Sequence, residues 1–187
     1  MKKPLYLLET WITLIINLSL GFVFPLTKTN FTGLTAQYPI LIFLWVSISC
    51  NTLLHQLLTC LSLMKKNSKT IKLTCFIIEC LWIVALILPY DPIHYPYSSS
   101  FHLVFSLAFF FSITALFLYT LWSIMPYRFK QIQILFQLYF VSVFLCCFIY
   151  MAYLSINGLF EIIYTCSLTI CTYRLLMIIQ DKISDSN

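Results

Sequence analysis

The chain has 187 residues, of which 61% are hydrophobic and only 9% charged, with a net charge of +5. Soluble domains carry about 25% charged residues, so this chain cannot cover a water-facing surface. A soluble enzyme, a disordered chain and a nucleic-acid-binding protein are thereby excluded, which leaves a polytopic membrane protein. At ~20 residues per crossing, the length allows about six spans with short loops and no soluble domain.

The first apolar segment runs from about residue 5 to 26. Lys2 and Lys3 precede it, as in a signal peptide, but no small-x-small cleavage site follows, and Glu9 and Trp11 lie inside it, so it reads as a retained span. The next connection, 27–37, holds the sequon Asn30-Phe31-Thr32, a glycan acceptor only in a secretory-pathway host. The second span covers about 38–64 and leads into a loop with Lys65, Lys66, Lys69 and Lys72. The third covers 71–90, the fourth 101–124, the fifth 132–153 and the sixth 158–179. Arg128 and Lys130 join spans four and five, and Lys182 follows span six. Tyr6, Tyr38, Tyr90, Tyr95, Tyr97, Tyr127 and Tyr153 gather at span ends, the interfacial belt pattern.

With six spans, ten of the eleven basic residues fall on one side and only Lys28 on the other. Basic residues stay cytoplasmic, so both termini are expected in the cytoplasm. The expected fold is therefore an all-α, six-helix transmembrane bundle forming a single domain over residues 1–187. Pro4, Pro25, Pro39, Pro89, Pro92, Pro96 and Pro126 all lie at or beyond span ends, so the helices should be unbroken. Eight cysteines sit within apolar runs without a CxxC, as expected for buried, reduced thiols. Cys60, near the basic side, is the candidate for acylation.

Ionisable groups inside spans are costly and turn towards protein or a wet cavity. Glu9, His55, Glu79 and Arg174 form an inner set. Folding spans two and three about the lysine loop brings His55 and Glu79 to the same depth, ~10–12 Å from the edge by helical rise. Glu9 and Arg174 share a shallow depth on spans one and six. These groups are expected as structural pairs, His55 with Glu79 and Glu9 with Arg174, that fix helix register. The alternative is a proton-coupled pair in a small transporter or transporter subunit.

Asp91, His94, His102 and Glu161 form an outer set, with hydroxyls from Tyr90 and Ser98–Ser100 and with Ser106 one turn after His102. The same folding argument places Asp91 and His102 level, and Glu161 opens span six at a similar depth. Spans three, four and six should then converge on a small polar pocket made by Asp91, His102, Glu161, Ser106 and Tyr90. A histidine beside a carboxylate also permits acid–base chemistry, so a membrane-embedded lipid hydrolase or remodelling enzyme is a second possibility. The spacing Asp91-x2-His94-x7-His102 fits no standard zinc pattern, and no nucleotide or zincin motif is present, so neither metal nor cofactor is expected.

Three stretches together resemble the Frag/DRAM/Sfk group of six-span membrane proteins. They are Asn30-Phe-Thr-Gly-Leu-Thr-Ala-Gln-Tyr-Pro39-Ile-Leu-Ile-Phe43, then Leu88-Pro-Tyr-Asp91 with His102-Leu-Val-Phe-Ser-Leu-Ala-Phe109, and Asn157-Gly-Leu-Phe-Glu161. The resemblance highlights Pro39, His102 and Glu161 and implies a role in membrane lipid handling, without a common catalytic mechanism. Residues and resemblance together point to a multi-pass protein that binds or organises membrane lipid, or assists a lipid-handling membrane complex. The expected partners are lipids or another membrane protein, and not nucleic acid.

Overall fold

The computed structural model describes residues 3–27, 34, 37–66, 68–88, 90, 93–154 and 156–185, the side chains of 184 and 185 excepted. The Asn30 sequon and Asp91 lie outside the described residues. The described chain is all-helical: α1 (Lys3–Val23), α2 (Pro39–Leu63), α3 (Lys69–Ile87), α4 (Pro96–Ile124), α5 (Phe129–Tyr153) and α6 (Gly158–Asp185). All six are long and apolar enough to cross a membrane, so this is an integral multi-pass membrane protein.

Local chemistry sets the helix ends. Pro39 and Pro96 occupy the first turns of α2 and α4, where a missing N–H costs nothing and the fixed φ already suits a helix. For that reason α4 begins at Pro96, before the apolar run that starts near residue 101. The Ser68 side chain accepts from the Ile71 N–H and caps α3. The Asn157 side chain accepts from the Phe160 N–H at 3.1 Å and caps α6, with Glu161 in the favourable first turn. At the end of α2, Lys65 is left-handed (φ 57°), and the N–H groups of Lys65 and Lys66 donate to Ser62 and Leu61. That pairing satisfies carbonyls that the helix would otherwise leave open. Hydropathy places the end of span six near residue 179, yet α6 continues to Asp185 because polar residues outside the apolar layer keep the same backbone hydrogen bonds.

α2 and α6 are the central helices: about half of each is buried, against roughly a quarter of each of the other four. α6 packs against α1, α2 and α5, and α3 packs against α4. The first and last helices run antiparallel, joined at one end by Leu159 N–H to the Leu26 carbonyl and at the other by Lys3 to Asp181 at 2.7 Å. Both termini therefore lie at one end of the bundle. Nearby, the Lys182 ammonium sits 3.2 Å from the centre of the Tyr127 ring. Exposed Phe136, Phe140, Phe144 and Phe148 make an i, i+4 stripe down α5, an arrangement suited to lipid and costly in water.

A polar seam joins α1 to α2. Its members are Tyr6, Thr10, Thr13 and Asn17 on one helix and Trp45, Ser49, Thr52 and Gln56 on the other, both at helical spacing. Gln56 Nε2 donates to Thr10 Oγ1 at 3.0 Å, Thr13 Oγ1 donates to Thr52 Oγ1 at 3.0 Å, and Trp45 Nε1 donates to Asn17 Oδ1 at 2.9 Å. Asn17 Nδ2 donates to the Thr13 carbonyl and to Ser49 Oγ. Small and polar residues of this kind let two transmembrane helices approach closely and hold their register.

Candidate functional site

The site begins with the way α3 ends. A helix leaves its last carbonyls without donors. For Ala85 the residue four positions on is Pro89, and proline has no N–H to offer; Leu88 is the extended C-cap, whose carbonyl leaves the helix. His102, in the second turn of α4, takes both places. Its Nδ1 lies 2.8 Å from the Ala85 carbonyl oxygen and 3.1 Å from that of Leu88. Carbonyls only accept, so Nδ1 carries the hydrogen, and in the uncharged imidazole Nε2 then presents a lone pair. His102 is 1% exposed, and its Nε2 has no hydrogen-bond partner among the described residues. The Tyr90 ring packs on the imidazole, with centroids 5.2 Å apart.

Beside His102 is a cavity of about 160 Å³ between α2, α3, α4 and α6. His102, Ser106 and Glu161 line it, together with Trp45 and Ser49 from α2, Trp82 from α3, and Tyr164 and Thr165 from α6. The remaining wall is aliphatic and phenylalanine side chains with the Cys50 thiol. Ser106 Oγ and Trp82 Nε1 are, like His102 Nε2, buried without a partner. At the wall formed by α4 and α6, Leu103 is exposed and Leu107, Phe110, Phe160 and Glu161 are half-buried. α4 and α6 touch little, so the wall they share, with Leu103 exposed, is a thinly packed side of the cavity. Tyr164 is held by a hydroxyl cluster: its OH lies 2.6 Å from Thr114 Oγ1, to which the Tyr139 OH also donates.

Of the five residues expected at the outer pocket, His102, Ser106 and Glu161 line one cavity. Tyr90 contacts it only through the His102 ring, and Asp91 lies outside the described residues. The tryptophans and the proline-orphaned carbonyl of Ala85 were missed by a search confined to ionisable side chains. Pro89, four residues after the α3 carbonyl of Ala85, is the signal that marks His102 as a cap.

The inner set pairs differently from expectation. His55 meets Glu9 on α1, with Nδ1 3.1 Å from Oε1 and 3.2 Å from Oε2, and Tyr6 packs against the imidazole. Glu79 is half-buried on α3 and makes no hydrogen bond or ion pair with described residues. Arg174 is exposed on α6, and the carboxylate expected to meet it, Glu9, is engaged by His55 instead. The expected pairing missed direction: His55 is next to Gln56 and three residues after Thr52, on the side of α2 that faces α1. The eight cysteines are free thiols, and Cys60 is fully buried, which removes it as an acylation site. Among the described residues no group of three or more His, Cys, Asp or Glu side chains gathers.

Comparison with known protein families, curated proteins and solved structures finds no match.

Proposed function

We propose that this membrane protein binds a lipid in the cavity between α4 and α6, as a lipid-binding protein or as the lipid-holding part of a larger membrane complex. One observation carries the reading: a largely apolar cavity with a thinly packed wall between α4 and α6 is lined by His102, Ser106 and Trp82, each with a buried polar atom that has no partner among the described residues. Apolar walls with a few convergent polar groups are the usual composition of a small-molecule site. A buried polar atom without a partner costs free energy that a ligand can recover. The resemblance of residues 30–43, 88–91 with 102–109, and 157–161 to the Frag/DRAM/Sfk group supports the same reading, since its members act in lipid handling.

The hydrolase alternative asks more of His102 than it can give among the described residues. Its Nδ1 is committed to two backbone carbonyls and its Nε2 has no carboxylate partner.

Photoactivatable lipids test the proposal. Protein in phosphatidylcholine nanodiscs is labelled with a panel of lipids carrying a diazirine in the acyl chain: phosphatidylcholine, phosphatidylglycerol and diacylglycerol. Saturable labelling of Leu103, Leu107 or Phe160 by at least one member is expected. The cavity-filling change Ser106→Phe should reduce it at least fivefold without loss of helicity. Labelling that does not saturate, or that Ser106→Phe leaves unchanged, overturns the proposal.

A further inference from the structure

Resting on the lipid-binding reading of the same cavity, we infer that its ligand is an uncharged lipid alcohol, whose hydroxyl enters first and donates to His102 Nε2. The direction of that hydrogen bond follows from the α3 terminus. Ala85 and Leu88 fix the hydrogen on Nδ1, so Nε2 can only accept, and it is buried without a donor. A ligand group that meets it must carry a hydrogen. Ester carbonyls, ethers and quaternary ammonium groups have none to give.

Charge narrows the class further. The described lining contains no lysine or arginine, and its one carboxylate is Glu161. A phosphate or fatty-acid carboxylate would enter an apolar space without a counter-ion and beside an acidic residue, an expensive placement. A hydroxyl is neutral, donates once and accepts twice. It can therefore satisfy His102 Nε2 and also accept from Ser106 Oγ or Trp82 Nε1, both without partners.

Size supplies the third constraint. A cavity of about 160 Å³ holds a hydroxyl and a few carbons, since a void of ~150 Å³ accommodates benzene. Sugar and inositol headgroups are too large. The rest of the chain would leave through the thinly packed wall between α4 and α6, along exposed Leu103 and half-buried Leu107.

The test compares two ligands that differ only in the hydrogen. Full-length protein in phosphatidylcholine nanodiscs is labelled with a hexadecanol analogue carrying a chain diazirine, in competition with hexadecanol, its O-methyl ether or hexadecyl phosphate. Hexadecanol should compete at about tenfold lower concentration than the ether, the worth of one hydrogen bond to a buried acceptor, and the phosphate should compete no better than the ether. An ether or a phosphate that matches the alcohol overturns the inference. Saturable labelling by a diacyl lipid would then still uphold lipid binding, whereas failure of every probe to label saturably removes both. The comparison uses the unaltered protein, so misfolding of a variant cannot imitate the result.

Discussion

At the scale of single residues, His102 has one nitrogen for the fold and one for the cavity. His102→Ala leaves the carbonyls of Ala85 and Leu88 without donors, at ~1–3 kcal/mol for a stranded buried group. We expect a loss of about 2–4 kcal/mol in denaturant or thermal unfolding of the detergent-solubilised protein, with Ser106→Ala costing less than about 1 kcal/mol. Equal, small effects from both changes would mean that His102 does not close α3. The pair at the basic end invites a double-mutant cycle. His55→Leu combined with Glu9→Gln should show a coupling of about 0.5–1 kcal/mol, because the groups touch. His55→Leu combined with Glu79→Leu should be additive. A coupling confined to Glu79 would refute the observed partnership. The sequence did not yield the direction in which these residues face. Counting residues from a loop locates a side chain along the membrane normal, while its partner depends on which neighbour its helix face meets.

At the scale of helices, the apolar runs located all six elements to within a few residues, because crossing the hydrocarbon layer demands an uninterrupted apolar helix. Ends differed where chemistry other than hydropathy rules: Pro96 starts α4 early, and α6 outlasts its apolar stretch. The α1–α2 seam was equally present in the sequence, as Thr10, Thr13 and Asn17 against Trp45, Ser49, Thr52 and Gln56. It is visible only when uncharged polar residues are read by helical face, and charge alone passes over it. The seam also borders the cavity, since Trp45 and Ser49 belong to both. Asn17 is its best-connected member, fully buried and bonded to three groups. Asn17→Ala strands the Trp45 N–H, whereas Trp45→Phe removes that donor beforehand. A cycle over the two should give a coupling of about 0.6–1.7 kcal/mol, the range known for hydrogen bonds between transmembrane helices. A value near zero would mean that packing alone holds α1 to α2.

At the scale of the molecule, the direction in which the bundle points is a prediction from the placement of its basic residues. Lys3 and Asp181 bring the two termini to one end. By alternation of the helices, the α2–α3 turn with Lys65, Lys66 and Lys69 and the α4–α5 turn with Arg128 and Lys130 share that end. Short loops rich in lysine and arginine are retained in the cytoplasm, and the strength of this preference depends on basic residues rather than net charge. The acidic residues Asp181 and Glu161 therefore do little to oppose it. On that prediction the cavity, lined by the N-terminal halves of α4 and α6, lies towards the opposite leaflet. A reporter active only in the cytoplasm should work when fused at either terminus or inserted at Lys66, and should be silent when inserted at Tyr95. Replacing Lys65, Lys66, Lys69, Arg128 and Lys130 with glutamine removes most of the bias from the two loops. A fraction of molecules should then insert inverted, giving activity at Tyr95 that the unaltered protein lacks. Full activity at Tyr95 with the native charges in place would reverse the assignment and put the cavity towards the cytoplasmic leaflet.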